Sequence, residues 1–483
     1  MWRSVRLGGC MAPDMTDEEI AAALARVETC LGEERPLDAV RDLQGILAVR
    51  PNHPMALCGV GRVGIQVGDS TAALEALDLA VRQAPDLLEA RNARGVALQN
   101  LGRLDEAETE FQTVVEAVPD NPGALLNLAS LLAAKGDYSG AEPVFAKILD
   151  LNPDDPTAGY NLGLLKLVLG DFQAGWRRFD LRHRASNVGL AAVTSPQPRW
   201  TGECRPDATL LITAEQGLGD NIQFVRYATA AAARVGRVIL EAPSPLIDLF
   251  RDLTGPAEIV ARGAPLPDHD LYIPIMSLPG VFETRADTIP WDGPYLHAPE
   301  DRLTHWRRRL DTSDGRWHVG LVWAGNPDHK RDRDRSMNLA DLAPLTETDG
   351  VQFHALQIGP PADQLASVAV KRPIRRVFHT QRSLPDVAAA IGSLDLLIGV
   401  DTALVHLAGA MGMPVWTMIS KVPDWRWMLD RADTPWYPSM RLFRQKQTGD
   451  WGPVIEDVNA ALADSTARCI SSSVATGTWA MTS

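Results

Sequence analysis

No two cysteines in this chain stand within metal-ligand spacing of each other. The five (Cys10, Cys30, Cys58, Cys204 and Cys469) are scattered, odd in number and without a CxxC pair. That excludes a zinc ribbon or a disulfide scaffold and suits reduced thiols. Long hydrophobic runs are missing too. No apolar stretch reaches the roughly 18 residues of a membrane span, so no transmembrane segment is expected. The opening MWRSVRLGGCMAPDM has no apolar run of signal-peptide length. Translation could start at Met11 or Met15, residues 1–19 are expected to be disordered, and the expected location is cytoplasmic. Positive charge is in deficit: 47 Lys and Arg face 61 Asp and Glu, a net charge of −14. Nucleic acid is therefore not the expected partner. Gly217-Leu218-Gly219-Asp220 falls short of a full GxGxxG, and no acidic ribose-binding residue follows the next strand, so it supports a dinucleotide site only weakly. Asp268-His269-Asp270 has the letters of a DxD metal motif but reads as a surface turn, so neither a metal nor a cofactor is expected.

What is present begins with a repeat. Prolines stand at 51, 85, 119 and 153, each 34 residues after the last. Small residues keep the same period at Ala39, Ala73, Ala107 and Ala141, each followed four positions later by Leu43, Leu77, Phe111 or Phe145. Glycines recur at Gly68, Gly102, Gly136 and Gly170, where one helix must turn into the next. This pattern is the tetratricopeptide signature: two antiparallel helices per repeat, small residues at their crossing, proline after the second. Units of about 20–53, 54–87, 88–121 and 122–155 follow, then a fifth from Pro156 through Phe179 without its closing proline. About ten helices are expected over residues 20–180. The divergent fifth unit is read as a cap and as the junction to the second half. Asn127 and Asn161, 34 apart on first helices, are candidates for holding an extended peptide in the groove. The alternative is that they are helix-surface residues without a ligand.

After the Pro-rich segment Ser195–Trp200 the pattern changes to short apolar strands alternating with helices. Strands are expected at Thr209–Ala214, Arg237–Glu241 and Leu271–Ile275. A second set is expected at His318–Ala324, Val351–Ile358, Ile374–His379, Leu394–Val400 and Val415–Ile419. Helices are expected at Asn221–Val235, Asp386–Gly392 and Val454–Ala463. Such alternation implies parallel sheets with ligands at the carboxyl ends of the strands.

Three segments carry candidate chemistry. In LDLLIGVDTALVHLAGAMGMP (Leu394–Pro414) a buried strand breaks at Asp401-Thr402 and opens a helix rich in small residues. First-turn amides and the helix dipole favour an anion there. Thr402, Ala403 and His406, with Asp401, would contact it; the alternative for His406 is a satisfied core histidine. In EQGLGDNIQFVRYA, Gly217 and Gly219 permit tight turns and Asp220 stands at a helix start, as a cleft carboxylate or as a plain cap. Strand His318–Ala324 runs into GNPDHKRDRDRSMNL, where His329, Lys330, Arg331, Arg333, Arg335 and, more distantly, Arg307 gather basic charge in an acidic protein. The alternative is a solvated run of mixed sign. Gln357, ending its strand before Gly359-Pro360, stands where a base or ribose contact is expected. Trp and Arg crowd Pro423–Gln445, to pack the lobe or to stack on a ligand.

The Leu394–Pro414 segment closely resembles the nucleotide-binding motif of the heptosyltransferases, glycosyltransferase family nine, with Ala403 where that family has Gly. Gly219-Asp220 resembles the family's Gly-Asp motif, which implies Asp220 as general base. A basic residue in the GNP loop neutralises the diphosphate in the family, which implies Arg335-Ser336 or Lys330. With GNPxHxxDxxRS and WYPxMRLFRQ, the region Phe179–Leu462 resembles a bacterial group of tetratricopeptide proteins with a heptosyltransferase-like domain. The first lobe, about Ala208–Pro299, is shorter than is typical there. Repeats joined to a two-lobed transferase also resemble the O-linked N-acetylglucosamine transferases.

The expected fold is an α-solenoid followed by two Rossmann-like α/β lobes of GT-B type. The expected division is 1–19 tail, 20–187 repeats, 188–207 linker, 208–305 first lobe, 306–465 nucleotide-sugar lobe and 466–483 disordered tail. The resemblance implies an inverting, metal-independent glycosyltransferase using a nucleotide-sugar donor and a protein or glycan acceptor recruited by the repeats. The alternative is a non-catalytic scaffold with a degenerate transferase domain.

Overall fold

The computed structural model describes residues 15–185, 188–189, 195–329, 331–380 and 382–476, with backbone alone over 468–476. The chain divides into two compact units, Met1–Leu162 and Gly163–Ser483.

Ten helices occupy residues 17–179 among the described residues: α1 (Asp17–Gly32), α2 (Pro36–Val49), α3 (Pro54–Gln66), α4 (Ser70–Gln83), α5 (Leu88–Asn100), α6 (Leu104–Ala117), α7 (Pro122–Lys135), α8 (Tyr138–Leu151), α9 (Pro156–Val168) and α10 (Phe172–Phe179). Each repeat proline stands two residues beyond a second helix, where it cannot continue the helix. The four periodic glycines adopt φ of 82°, 79°, 83° and 86°, a left-handed turn that costs a side-chain-bearing residue energy. Ala39, Ala73, Ala107 and Ala141 are buried beside Leu43, Leu77, Phe111 and Phe145, so the periodic columns are the repeat core. Asp69, Asp137 and Asp171 accept from first-turn amides and cap second helices.

Residues 15–19, expected to be disordered, are ordered instead. Thr16 and Glu19 form a reciprocal capping box that starts α1 at Asp17. Residues 1–14 and 477–483 lie outside the described residues. The division into units falls inside α9, so α10 belongs with the second unit rather than with the array. Trp176 of α10 packs edge-on against Trp425, and its indole N–H donates to the Thr284 carbonyl at 3.0 Å. Just beyond it the buried Arg182 forks onto Glu215, at 3.0 and 2.6 Å, and reaches Ser277 at 2.7 Å.

The rest of the second unit is built on two all-parallel sheets. One has the order β3-β2-β1-β4, from β1 (Arg205–Thr213), β2 (Val235–Ala242), β3 (Glu258–Ala261) and β4 (Leu271–Pro274). Its connections carry α11 (Leu218–Phe224), α12 (Tyr227–Ala232) and α13 (Ile247–Phe250), and α14 (Leu278–Val281) follows β4. The other has the order β10-β9-β8-β5-β6-β7, from β5 (Trp317–Val322), β6 (Val351–Ala355), β7 (Arg375–Arg376), β8 (Leu396–Val400), β9 (Val415–Ile419) and β10 (Met440–Arg444). Its helices are α15 (Glu300–Leu310), α16 (Asp332–Arg335), α17 (Leu339–Leu342), α18 (Leu384–Ile391), α19 (Ala403–Ala410) and α20 (Gly452–Thr476). From β5 the chain moves one way to β6 and β7 and then back across to β8, so β5 and β8 flank a switch point.

Several expectations change here. The single helix expected at Asn221–Val235 is broken between α11 and α12, where Arg226 turns inward to the Trp436 carbonyl at 2.7 Å and the Tyr295 hydroxyl at 2.8 Å. The strand expected at Ile374–His379 shrinks to two residues. In the expected linker, Pro198 and Trp200 bond to both sides of Tyr272 and extend the edge of β4. The last helix runs on to Thr476, with Val454, Ile455, Val458 and Leu462 in the second sheet's core, so 466–476 is helical rather than disordered.

A buried histidine pair crosses β5 and β6. His318 Nδ1 and His354 Nε2 are 2.9 Å apart, and His318 Nε2 stands 3.0 Å from Asp314. With a His318 proton on Nε2, that ring donates to Asp314 and its Nδ1 accepts from His354 Nε2–H. Burial first, then the positive charge of neighbours, pushes His354 from 6.5 to about 3. The unfolded chain therefore binds more protons between those values, and stability falls as pH drops from about 6.5 towards 3, by at most about 1.4 kcal/mol per pH unit. Melting temperatures of wild type and His354→Asn between pH 7 and 4 check this. The wild type should lose more on acidification, and parallel curves would contradict it.

Candidate functional site

A cleft of about 1150 Å³ lies at the carboxyl ends of β5, β6, β7 and β8, closed on one side by the loop after β1. That loop is held from below. Arg182 fixes Glu215, and Asn221 donates to the carbonyls of Glu215 and Gly217 at 2.8 and 2.7 Å. Gly217, Gly219 and Asp220 thereby reach the cleft wall. Close approach favours Gly219 there, since a Cβ would stand a tight 3.0 Å from His406 Cδ2, with Ala403 Cα in ordinary contact at 3.6 Å. Asp220 accepts from the Gly217 amide at 2.9 Å through one oxygen and from the Arg426 guanidinium through the other.

On the facing side, β8 ends at Val400 and Asp401-Thr402 opens α19. Thr402 is extended and makes no capping bond; its hydroxyl is buried and has no partner among the described residues. The first-turn amides of Ala403 and Leu404 have no intrahelical acceptor, as at any helix start. Together these are free donors on a cleft wall. Burial raises the Asp401 carboxyl, but the neighbouring His406 and Trp427 rings and the Arg335 charge together outweigh it and hold Asp401 below its usual range. His406 is buried, stacked on Trp427 at 5.2 Å, with Nδ1 2.9 Å from the Tyr437 hydroxyl and Nε2 3.8 Å from Asp401. His406 is thus oriented by its packing yet still lines the cleft, which joins the two readings left open for it.

The basic loop after β5 contributes less than its composition promised. Arg335 and His329 line the cleft; burial lowers the His329 pKa, helped by the Arg335 charge. Gly325 leaves room for Arg335, whose guanidinium nitrogens would stand 2.8 and 3.0 Å from an added Cβ. Ser336 instead accepts from the Gly325 amide at 2.9 Å and shapes the loop. Arg331 donates to the Val422 carbonyl at 2.6 Å, while Arg333 and Arg307 pair with Asp334 and Glu300 in solvent. Lys330 lies outside the described residues.

Gln357 lines the cleft but its amide is already committed. Its oxygen accepts from the Trp323 and Ala324 amides at 3.1 and 3.0 Å, and its nitrogen donates to the Ala324 and Ile358 carbonyls. It clamps the end of β5 and leaves no free group for a base or ribose. Asp270, in the expected surface turn, accepts from the Thr209 amide at 2.8 Å and tethers β1. Asn127 and Asn161 belong to the repeats. Asn127 donates to Asn92 at 2.9 Å, forming a side-chain link between successive first helices, and Asn161 is also engaged.

Residues that sequence reasoning did not single out complete the cleft: Asp424 and Arg426 after β9, Arg376 at the end of β7, and Phe378–Thr380 just beyond it. Arg426 stood in the Trp- and Arg-rich stretch, but nothing local marks it apart from Arg431 or Arg441. The aromatics of that stretch pack rather than line a pocket: Trp425, Trp427, Trp436 and Tyr437 are all buried.

Residues 24–87 and 92–156 match the family model for the tetratricopeptide repeat. Protein FlbA of Caulobacter vibrioides is 26% identical over 457 residues, spanning 89% of this chain and 70% of that protein. A thermophilic TPR protein of Thermus thermophilus is 20% identical, with a TM-score of 0.32 over 35% of this chain and 98% of that one. The Pseudomonas aeruginosa pilF structure is 18% identical, with a TM-score of 0.32 over 36% of this chain and 79% of that one. The helix pairs of residues 24–87 and 92–156 are tetratricopeptide repeats, an architecture of protein interaction.

Proposed function

We propose that the second unit is a GT-B glycosyltransferase with two Rossmann-like lobes, acting on a nucleotide-sugar donor without a metal, and that the repeats recruit a protein or glycan acceptor. The observation that carries this reading is the start of α19. An orphaned, buried Thr402 hydroxyl and open helix amides stand on the same cleft as Asp220, Arg335 and His406. Such an amino end suits a diphosphate.

In the proposed reaction the acceptor hydroxyl gives its proton to the Asp220 carboxylate as its oxygen attacks the anomeric carbon. The bond from that carbon to the diphosphate breaks, and its electron pair passes to the departing oxygen. Thr402, the α19 amides and Arg335 would meet that growing negative charge, where fixed donors act most strongly. Attack opposite to departure inverts the anomeric centre. A thermal-shift screen of the full chain against nucleoside diphosphates and their sugars tests donor binding, because a ligand of the native state raises the melting temperature. A rise with at least one diphosphate and none with its nucleoside is expected. No shift with any compound at millimolar concentration would count against the reading.

A further inference from the structure

Arg426 sits where the two sheets meet over the cleft, and its bonds are distributed unusually. Its Nε donates to Gln223 Oε1 at 2.6 Å, one terminal nitrogen donates to Asp424 at 2.8 Å, and the other donates to Asp220. The guanidinium lies over the rings of Trp425 and Phe224, 4.5 and 5.7 Å from their centroids. Its plane is therefore set by packing on its face and by a glutamine at its root, before either carboxylate is considered. Burial works against its charge, yet Asp424 and Asp220 hold Arg426 protonated above its ordinary range.

Resting on the transferase reading, we propose that Arg426 and Asp424 are positioning residues for Asp220, forming with it a carboxylate–guanidinium–carboxylate unit that aims the base and stays charge-paired when the base takes a proton. A base tied only to a buried arginine would strand that cation on accepting a proton, at the cost of an unpaired buried charge. Here Asp424 remains bonded to the same guanidinium, so proton uptake from the acceptor leaves one cation facing one anion. The unit carries one net negative charge before the transfer and none after it, and the lost charge reappears on the departing diphosphate.

The test is a double-mutant cycle on the full chain with its best donor, reading kcat, donor KM and melting temperature. Arg426→Gln should lower kcat at least about tenfold and change donor KM by no more than about twofold, with partial recovery in Arg426→Lys. In the Asp220→Asn background the same change should cost nothing more, because the group it positions is gone. An equal loss of kcat in both backgrounds would mean that Arg426 only holds the sheets together, and the proposal falls. If Arg426→Gln does not fold, Asp424→Asn carries the same cycle with the same two outcomes. A wild type that turns over no donor overturns the transferase reading and this unit with it, whereas turnover with an additive cycle overturns the unit alone.

Discussion

Replacing Asp220 with asparagine is expected to lower turnover by about 10²–10⁴-fold, the usual worth of a general base, while donor affinity stays nearly unchanged. The substitution keeps size and shape. An asparagine oxygen can still accept from the Gly217 amide, so the start of α11 should survive. What disappears is the ability to take a proton and the charge facing Arg426. Asp424 continues to pair with that guanidinium, which limits the structural cost. If Asp220 were only a cap, turnover would persist and stability would fall by about 1 kcal/mol or less. Single-turnover kinetics beside calorimetric donor affinity separates the two, since the base role moves the first and leaves the second.

The second large effect concerns the donor. Thr402→Val with His406→Ala should weaken nucleoside diphosphate binding at least tenfold, because each hydrogen bond to a charged group contributes about 1.5–3 kcal/mol. Valine fills the Thr402 volume without its hydroxyl, which has no protein partner to lose. Loss of His406 also empties space beneath Trp427 and removes the ring nitrogen beside the Tyr437 hydroxyl, so His406→Gln is the gentler control. Calorimetry with an unchanged melting temperature gives the clean reading. Unchanged affinity would remove the start of α19 from the site.

The repeats were legible because their signal is redundant. Four columns share one period, and each has its own physical cause: a left-handed glycine, a proline past a helix end, a small residue at a crossing, a large one filling it. The strand expected at Val415–Ile419 has those bounds because an apolar run is cut sharply by proline and serine. The edge strands β3 and β10 escaped notice. Glu258–Ala261 is short and half-buried, and Met440–Arg444 alternates apolar residues with arginines, so neither forms an apolar run. The cleft was legible only where a motif is local. Asp401, Thr402 and His406 lie on one strand-to-helix turn, and Gly219-Asp220 lies on another. Arg426 and Asp220 are 206 residues apart, and no local pattern reports such a bond. Gln357 misled for the opposite reason. Its place at a strand end is that of a ligand contact, but its amide serves the neighbouring strand.

The most direct measurement of the central claim is nucleoside diphosphate release by the purified full chain from a panel of nucleotide sugars, run beside the Asp220→Asn variant. Hydrolysis to water can stand in for transfer while the acceptor is being sought. The account predicts release from at least one donor by the wild type, with an inverted sugar product and a rate about 10²–10⁴-fold above that of the variant. Equal rates for the two proteins would contradict Asp220 as base. No release from any donor, while a partner still binds the repeats, would contradict the transferase itself and leave a scaffold.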